Sequence, residues 1–481
     1  MSTSLPFPSL LVTRDGLEAQ GAFAEAQAAF LSPDPKTVRE LDALLEQKRI
    51  GVVAHFYMDP ELQGVLASCS WPHVHISDSL LMADAAVKMA AAGCRSIVVL
   101  GVDFMIENAR AMLDAAGHQR TPVYRVAAEP IGCSLAASAD TLAYSAYLER
   151  AARTKRSVHV VYINTSLVTK ARAHATVPTI TCTSSNVVQT VLSAFAQIED
   201  GHVWFGPDTY MGQNLERMFA AMGAMDDDAI RRIHPAHDRA SIASLRQRFH
   251  YFEQGNCVVH HMFGARVVEK VRAHYAHAFV TAHLEVPGEM FELALEARDR
   301  DRGTVGSTSD ILTFIHRKTS DAIARHREGG PAETLSFVLG TEAGMITSIV
   351  RDVQRTLREA DAGGVRCEIV FPVASEAIAQ TGDAELAVVP GVLGGEGCTT
   401  AGGCATCPYM KMNSLDALLD LAARVDVDDD DRLAAFHPRT YDERFLGRTV
   451  ADVGGEPILH MRAFAKQKAL PDALVNDVLT R

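Results

Sequence analysis

Gly51-Val52-Val53-Ala54-His55-Phe56-Tyr57 is a short apolar run of β-type residues that ends on paired polar side chains. Two later stretches repeat this pattern: His-Val-Val-Tyr-Ile-Asn at residues 159–164 and Phe-Val-Thr-Ala-His-Leu-Glu at residues 279–285. A recurrence of this kind indicates one structural unit that is present in several copies. Three copies would direct three sets of polar loops towards one shared place.

Each unit continues with the same two further parts. A hydroxyl-rich turn follows the first run, and the unit closes with an apolar run, a Gly and an acid two residues later. The turns are residues 76–79, 183–186 and 306–309, and the closing pairs are Gly101/Asp103, Gly206/Asp208 and Gly340/Glu342. Short β-type runs that alternate with helical stretches predict βαβ units with parallel sheets, which is an α/β fold. Ligands bind such sheets at the carboxyl ends of the strands, where all these polar residues lie.

The composition is that of an ordinary globular protein, with 48% apolar and 22% charged residues. The net charge of -13 argues against a nucleic acid partner, because phosphate binding requires a basic surface. No apolar run approaches the roughly 20 residues that a bilayer span requires, and the N-terminus does not resemble a secretory signal. We therefore predict a cytoplasmic protein without a nucleic acid or membrane partner. Its nine cysteines would then lie in a reducing compartment, where metal ligation or redox chemistry is more common than a disulfide framework.

The cysteines predict a metal centre between the units. Cys398, Cys404 and Cys407 lie close together before a proline, and this segment alone leaves metal binding, redox chemistry and no function open. Cys133 and Cys257 precede the second and third units, and Cys407 follows the third. One thiolate at each boundary suggests a 4Fe–4S cluster in which one iron lacks a cysteine. Such an open iron is a Lewis acid for a substrate oxygen or nitrogen.

The polar residues at the strand ends are candidates for acid–base chemistry and substrate binding. The pairs are spaced i and i+2, so both members of a pair face the same side of an extended chain end. His and Glu can transfer protons, whereas Tyr and Asn can orient carboxylates and carbonyls. The pairs are His55/Tyr57, Tyr162/Asn164 and His283/Glu285.

The hydroxyl-rich turns supply Ser79, Ser184 and Thr308 as candidate ligands of an anion. A turn that enters a helix offers backbone N–H groups and the positive end of the helix dipole. Helix capping alone explains most single turns of this kind. Three such turns at equivalent places favour a ligand with several carboxylates or a phosphate.

These features occur together in one known family. The chain resembles the quinolinate synthase family, iron–sulfur enzymes of de novo NAD biosynthesis, in a series of motifs that run in family order from about residue 50 to about residue 415. The motifs are Ala-His-Phe-Tyr-Met-Asp-Pro-Glu-Leu-Gln, Ser-Asp-Ser-Leu-Leu-Met-Ala, Gly-Val-Asp-Phe-Met-Ile-Glu-Asn-Ala, Tyr-Ile-Asn-Thr-Ser, Thr-Ser-Ser-Asn, Gly-Pro-Asp-x5-Asn-Leu, Cys-Val-Val-His, Val-Gly-Ser-Thr-Ser, Gly-Thr-Glu-Ala-Gly-Met and Cys-Pro-Tyr-Met-Lys-Met-Asn.

The resemblance implies three similar three-layer α/β domains with short parallel sheets, in a pseudo-threefold arrangement around a central iron–sulfur cluster. An N-terminal extension (1–35) would precede the first α/β domain (36–122), which is followed by the second (123–245) and the third (246–374). The last segment (375–481) would carry a cluster ligand, and its C-terminal helices would return to complete the first domain.

The resemblance also implies the reaction. Cys133, Cys257 and Cys407 would hold the cluster and leave one iron open to substrate or product. The enzyme would condense iminoaspartate with dihydroxyacetone phosphate to give quinolinate, phosphate and water. The unstable iminoaspartate would come from an aspartate-oxidising enzyme.

Roles for the strand-end residues follow from the same resemblance. Tyr162, Asn164, Ser184 and Thr308 would anchor carboxylates. Proton transfers and dehydrations would be served by His55, Tyr57, His283 and Glu285. The predicted substrate-binding residues are His55, Ser79, Tyr162, Asn164, Ser184, His283, Glu285 and Thr308.

The chain departs from the family pattern at several positions. Leu284 stands where family members have Pro, and the sequence 252–254 replaces a Trp. Five residues separate Cys398 from Cys404, which argues against a redox pairing of Cys404 but leaves Cys407 as the ligand. From the residues alone, two other functions stay open. One is a different iron–sulfur hydro-lyase that acts on a hydroxy acid, and the other is a cysteine-based redox or metal sensor.

Overall fold

The structure is a computed structural model that describes residues 6–372 and 407–481, apart from residues 429, 442 and 446. Cys398 and Cys404 lie outside the described residues, so the predictions made for them stay predictions. Within the described parts of the chain, none of the helices combines the length and the hydropathy that a bilayer span requires.

Strands and helices alternate along most of the described chain. The strands are β1 (Ser9–Val12), β2 (Leu17–Gln20), β3 (Ile50–His55), β4 (Val74–Ser77), β5 (Ser96–Leu100), β6 (Val123–Tyr124), β7 (Ser157–Tyr162), β8 (Thr179–Cys182), β9 (His202–Gly206), β10 (Phe249–Tyr251), β11 (Phe279–His283), β12 (Gly303–Gly306), β13 (Glu333–Gly340), β14 (Val365–Val370), β15 (Arg444–Phe445) and β16 (Arg448–Thr449). The helices are α1 (Ala22–Phe30), α2 (Pro35–Lys48), α3 (Pro60–Leu66), α4 (Ser79–Ala91), α5 (Asp103–Ala115), α6 (Ser134–Ala139), α7 (Leu142–Arg153), α8 (Leu167–Thr176), α9 (Val187–Gln197), α10 (Thr209–Gly223), α11 (Asp227–Ile233), α12 (Arg239–Arg246), α13 (Ala265–His274), α14 (Gly288–Arg298), α15 (Thr308–Arg327), α16 (Met345–Glu359), α17 (Leu415–Arg424), α18 (Asp430–Leu433), α19 (Val450–Gln467) and α20 (Asp472–Thr480). Single 3₁₀ turns cover His260–Met262, Met410–Met412 and Ala434–Phe436.

Three units build sheets with the same strand order. In each unit the first strand has the second strand on one side, and the third and then the fourth strand on the other. The orders are β4-β3-β5-β6, β8-β7-β9-β10 and β12-β11-β13-β14, and all neighbours in these sets are parallel. Every residue of β3, β5 and β7 is buried, as expected for parallel strands that are covered on both faces. The predicted α/β class with short parallel sheets is therefore confirmed, whereas the domain boundaries stay predictions.

The N-terminal residues form part of the third sheet, although the sequence suggested an extension ahead of the core. Strand β1 pairs antiparallel with β14, and β2 pairs antiparallel with β1. Leu10 and Val12 are fully buried, and the ring of Phe7 stacks on Tyr275 with 5.7 Å between centroids. Burial of these apolar side chains draws the segment onto the sheet edge, because it removes apolar surface from water. The third sheet therefore has six strands and is mixed.

The C-terminal helices divide between two units. Helix α17 packs against α2 beside the first sheet, whereas α19 packs against α8 and β8 of the second unit. A Cβ atom at Gly454 would clash with the carbonyl oxygen of Leu167, so glycine permits this close approach of α19. Helix α19 also contacts α5 of the first unit, so the predicted return of the C-terminal helices to the first domain stays a prediction.

The strand ends align the polar residues of each unit. His55 pairs with Ser77, Tyr162 with Cys182, and His283 with Gly306, each at the carboxyl end of its strand pair. Helices α4, α9 and α15 begin shortly after these second strands. Each unit therefore brings a polar strand end beside a helix N-terminus.

Candidate active site

One cavity collects all the residues that the sequence predicted for catalysis and substrate binding. The volume that the centre of a water-sized sphere can occupy in it is about 40 Å³. The predicted residues that line it are His55, Tyr57, Ser79, Tyr162, Asn164, Ser184, His283, Glu285 and Thr308, and further lining residues are Asp78, Met105, Ile163 and Thr183. The three units therefore direct their strand ends and turns into the same space.

The histidines of the first and third units share one local arrangement. The backbone N–H of Tyr57 donates to Nδ1 of His55 at 3.1 Å, and the backbone N–H of Glu285 donates to Nδ1 of His283 at 3.4 Å. Burial lowers the pKa of His55 to about 4 and that of His283 to about 3, so both rings are neutral near pH 7. Because Nδ1 accepts a hydrogen bond in each ring, the single proton lies on Nε2. Both imidazoles therefore offer an Nε2–H group.

Glu285 joins the second and third units through its two carboxylate oxygens. The hydroxyl of Tyr162 donates a short hydrogen bond to Oε1, and Nδ1 of His260 lies 2.9 Å from Oε2. Burial alone would raise the pKa of Glu285, but His260, His283 and the Tyr162 hydroxyl together lower it to about 2. Glu285 is therefore a carboxylate at neutral pH. Burial and the charge of Glu285 raise the pKa of Tyr57 well above its usual value, so Tyr57 remains a phenol.

His260 is the site residue that the sequence reasoning missed. It is fully buried, and its ring stacks on His283 with 4.9 Å between centroids and 19° between planes. Its Nδ1 also lies 3.3 Å from Sγ of Cys257. The available signal was the Cys-Val-Val-His motif, in which the Cys and the His are three positions apart, close to one helical turn.

The helix N-termini at the cavity are capped by neighbours of the predicted hydroxyl residues. Asp78 accepts hydrogen bonds from the first turn of α4, and Ser307 caps α15 in a capping box with Asp310. Ser79 and Thr308 are the first residues of these two helices and do not serve as the caps. Backbone N–H groups at such positions attract anions. Helix capping therefore does not account for the hydroxyls of Ser79 and Thr308 at the cavity.

The three predicted cluster ligands begin the same backbone turn. The carbonyl oxygen of Cys133 accepts a hydrogen bond from the N–H of residue 137 at 2.9 Å, that of Cys257 from residue 261 at 3.1 Å, and that of Cys407 from residue 411 at 3.2 Å. All three cysteines are partly buried and pack against the main hydrophobic core. The threefold repetition seen in the sheets therefore also holds for the backbone at the three cysteines between the units.

The environment of the three thiols fits an iron–sulfur cluster. Backbone N–H groups approach each sulfur, while burial raises the pKa of Cys133 to about 11 and raises the pKa of Cys257 and Cys407 further. The charge of Cys407 also raises the pKa of Cys257, and that of Cys133 raises the pKa of Cys407. Buried thiolates with N–H donors need a bound cation, and such a donor set is typical of iron–sulfur ligation.

Cys257 links this centre to the cavity. Its sulfur, a ring nitrogen of His260 and a carboxylate oxygen of Glu285 lie within 4.8 Å of one another. Groups of this kind can hold a metal ion. A metal centre at the cysteines would therefore lie beside the carboxylate of Glu285, which lines the cavity.

Relatives of known identity resemble nearly the whole chain. A quinolinate synthase, chloroplastic, from Arabidopsis thaliana is 54% identical over 492 residues, which cover 99% of this chain and 67% of the relative. One from Nicotiana tabacum is 54% identical over 487 residues, with 99% of this chain and 67% of the relative covered. A third, from Oryza sativa subsp. japonica, is 52% identical over 496 residues and covers 98% of this chain and 69% of the relative.

The cytoplasmic localisation predicted from composition is wrong on this comparison. All three relatives are named chloroplastic. The N-terminus argued only against a secretory signal, and a reducing compartment is not unique to the cytoplasm.

The family model described as NadA: Quinolinate synthetase A protein matches residues 39–438, which include every predicted catalytic, substrate-binding and cluster-ligand residue. This match agrees with the relatives and confirms the resemblance read from the motifs. The chain therefore belongs to the quinolinate synthetase A family and is an enzyme.

Proposed function

We propose that this enzyme condenses iminoaspartate with dihydroxyacetone phosphate to form quinolinate, with release of phosphate and two molecules of water, in de novo NAD biosynthesis. Family membership supports this reaction. The observation that carries it is the convergence of a carboxylate, a phenol and two neutral imidazoles on one cavity beside three partly buried thiols. An aspartate-oxidising enzyme would supply the iminoaspartate.

Cys133, Cys257 and Cys407 would hold a 4Fe–4S cluster that has one iron without a cysteine ligand. When bound, the cluster supplies a Lewis-acidic iron that can polarise a substrate oxygen or nitrogen. The contact between His260 and Sγ of Cys257 supports this placement, because residues around a ligand orient it and tune its basicity.

Substrate anions would bind at the strand ends and helix N-termini. Tyr162 ends β7 and Asn164 follows it, Ser184 precedes α9, and Thr308 and Ser79 begin α15 and α4. Two carboxylates and a phosphate would thus meet hydroxyl, amide and backbone N–H donors from all three units. Distribution over three units would hold both substrates in a defined relative orientation, which converts their reaction into an effectively intramolecular step.

Glu285 and Tyr57 would transfer protons in opposite directions. Formation of the enamine removes a proton from the carbon beside the imine, and a carboxylate oxygen of Glu285 accepts it. Tyr57 is protonated at neutral pH, so its hydroxyl donates a proton to an oxygen that leaves the substrate. His55 and His283 would donate hydrogen bonds from Nε2 to the hydroxyl groups that depart as water.

The proposal is tested by anaerobic purification with iron and sulfide analysis, followed by an assay with both substrates. We expect quinolinate only when iminoaspartate and dihydroxyacetone phosphate are both present and the cluster is intact. Dehydration of a hydroxy acid without a triose phosphate would overturn the proposal in favour of another hydro-lyase. Reversible cysteine or cluster oxidation without turnover would overturn it in favour of a sensor.

A further inference from the structure

A buried lysine lies behind the loop that leaves the central strand of the second unit. Lys170, in α8, has no solvent exposure. Its ammonium group donates to the carbonyl oxygen of Ile163 at 3.1 Å and, through a shorter bond, to that of Thr165. These two carbonyls flank Asn164, and both Ile163 and Asn164 line the cavity. One ammonium group therefore holds the backbone on both sides of a predicted substrate-binding residue.

Residues of helix α5, in the first unit, also contact this loop and its lysine. Glu107, a buried residue of α5, accepts a hydrogen bond from the backbone N–H of Leu167 at 2.9 Å and another from the hydroxyl of Tyr441 at 2.5 Å. The ring of Phe104 lies 6.0 Å from the Lys170 ammonium. Burial lowers the pKa of Lys170 to about 7, although the charges of Glu107 and Asp140 oppose this effect. Lys170 and Glu107 thus connect the first unit, the loop at the cavity and the C-terminal segment.

A buried charge is costly unless it makes hydrogen bonds, so this lysine needs an explanation. The two carbonyls that it contacts belong to the loop between β7 and α8, and the peptide between them carries a side chain into the cavity. Without the ammonium group, both carbonyls would be left without this donor in a buried setting, and the loop would relax towards other partners.

We propose that Lys170 is a positioning residue for substrate binding, which holds Asn164 at the cavity while Glu107 holds the following turn. This role rests on the proposed function, because Asn164 is taken there to bind a substrate carboxylate. Lys170 does not line the cavity, so it acts through the loop.

The test compares Lys170→Met with a matched lysine elsewhere. Lys318 in α15 is also buried, at 8% exposure, and pairs with Asp301 away from the cavity lining. Lys170→Met is expected to raise KM for the substrates, and the dissociation constant of quinolinate, about tenfold, equivalent to about 1.4 kcal/mol. Its iron content and kcat should stay close to those of the parent. Lys318→Met should lower the melting temperature without a change in KM.

A double variant separates positioning from folding. Lys170→Met alone leaves the charge of Glu107 buried, so the protein is destabilised for a reason unrelated to substrate. Glu107→Gln/Lys170→Met removes both charges and should recover melting temperature while KM remains high. The Thr165 carbonyl still lacks the lysine donor, and the Ile163 carbonyl keeps only the backbone N–H of Thr165 at 2.7 Å. Recovery of KM in the double variant, or an unchanged KM in folded Lys170→Met, would overturn the positioning role.

The same measurements separate this role from the reaction on which it rests. A parent enzyme that neither forms nor binds quinolinate would overturn the proposed function, and the positioning role with it. A parent that does both, with variants that bind quinolinate equally well, would overturn the positioning role alone.

Discussion

Nδ1 of His260 lies 2.9 Å from Oε2 of Glu285, and the same nitrogen lies 3.3 Å from Sγ of Cys257. One buried imidazole therefore contacts both a proposed cluster ligand and the carboxylate at the cavity. The hydroxyl of Tyr162 binds the other oxygen of that carboxylate. Glu285 is thus held from both sides, by groups from two different units.

Replacement of His260 tests this relationship. His260→Ala should lower kcat by roughly a hundredfold, at the low end of what positioned acid–base groups contribute, because Glu285 loses a hydrogen-bond partner. Steady-state kinetics would be measured on cluster-loaded protein and normalised to iron content. His316→Ala, at a half-exposed side chain that pairs with Asp352, is the control and should leave kcat unchanged. A His260→Ala enzyme with the parental kcat would show that the contact does not serve the reaction.

Replacement of each of the three predicted cluster ligands tests the metal centre. Cys133→Ser, Cys257→Ser and Cys407→Ser should each abolish the visible absorbance of the cluster and most of the bound iron, because each removes one thiolate ligand. Cys367 is buried in β14, and Cys367→Ser should retain the iron of the parent. Loss of iron in Cys404→Ser together with retention in Cys407→Ser would show that the third ligand is Cys404.

Asn214 should control the placement of Glu285. Its fully buried Nδ2 donates to the carbonyl oxygens of Leu284 at 2.9 Å and Val286 at 2.7 Å, which flank Glu285. Asn214→Asp replaces these donors by a carboxylate oxygen that faces two carbonyls. We expect a loss of about 2 kcal/mol in the free energy of unfolding and a roughly tenfold lower kcat, equivalent to about 1.4 kcal/mol.

A neighbouring variant separates the Asn214 effect from changes at the surface. Arg217 donates to the other side of that amide, at Oδ1, and to the exposed Glu292. Arg217→Ala should therefore leave kcat within about twofold of the parent. Its free energy of unfolding should change by roughly 0.5 kcal/mol at most, as for other surface substitutions. Denaturant titration and kinetics below the unfolding transition provide both quantities. An Asn214→Asp enzyme with reduced stability but parental kcat would limit the residue to a structural role.

Gly344 should be required for the position of Tyr57. A Cβ atom at Gly344 would lie 2.5 Å from the carbonyl oxygen of Phe56 and 2.7 Å from Cα of Tyr57. Gly344→Ala should therefore displace the Tyr57 loop and lower kcat by at least tenfold, a cost of about 1.4 kcal/mol or more. At Gly455, in helix α19, no atom of the described residues outside the helix's own nearby backbone lies within 4 Å of such a Cβ. Gly455→Ala should leave kcat unchanged and raise stability by roughly 0.5–1 kcal/mol. Equal kcat in both variants would contradict this account.

His159 should make the fold sensitive to acid. It is fully buried in β7, where Nε2 contacts the hydroxyl of Tyr144 at 2.9 Å and Nδ1 faces Thr179, and burial lowers its pKa to about 3. The unfolded chain, with a histidine pKa of about 6.5, binds more protons between pH 6.5 and 3. Stability from this group therefore falls as pH falls through that window, by about 2 kcal/mol between pH 6.5 and 5.

A variant isolates this acid sensitivity. His159→Gln should lose less stability than the parent when the pH changes from 7 to 5, as measured by denaturant unfolding at each pH. His118→Gln, at a partly exposed side chain, should behave like the parent. An equal loss in His159→Gln and the parent would show that other groups determine the acid response.

Much of the site was predictable because its residues lie at regular places in a repeated pattern. The pairs that end β3, β7 and β11 stand at strand ends in parallel sheets, and such ends face one edge. Any chain that forms these units brings His55, Tyr162 and His283 to comparable positions. The hydroxyls that begin helices, such as Ser79 and Thr308, follow from the same local geometry.

The contacts between units were not predictable in the same way. The His260–Glu285 contact joins residues from a 3₁₀ turn and from the loop after a strand, and no local periodicity relates them. The position of β1 beside β14 depends on residues more than 350 positions apart in sequence. The packing of α19 on α8 likewise depends on which apolar faces remain uncovered after the three sheets have formed.

The sequence by itself determined the three α/β units, the strand ends that carry polar pairs and the cysteine at each junction. Backbone hydrogen bonding and the alternation of apolar and polar residues are local, so their pattern is readable along the chain. Only the tertiary structure decided which partners these groups meet: Tyr162 and His260 on Glu285, Lys170 on the loop of Asn164, and Asn214 on the backbone beside Glu285. The physical reason is that a buried polar group must find a hydrogen-bond partner wherever the packed chain provides one, at any distance in sequence.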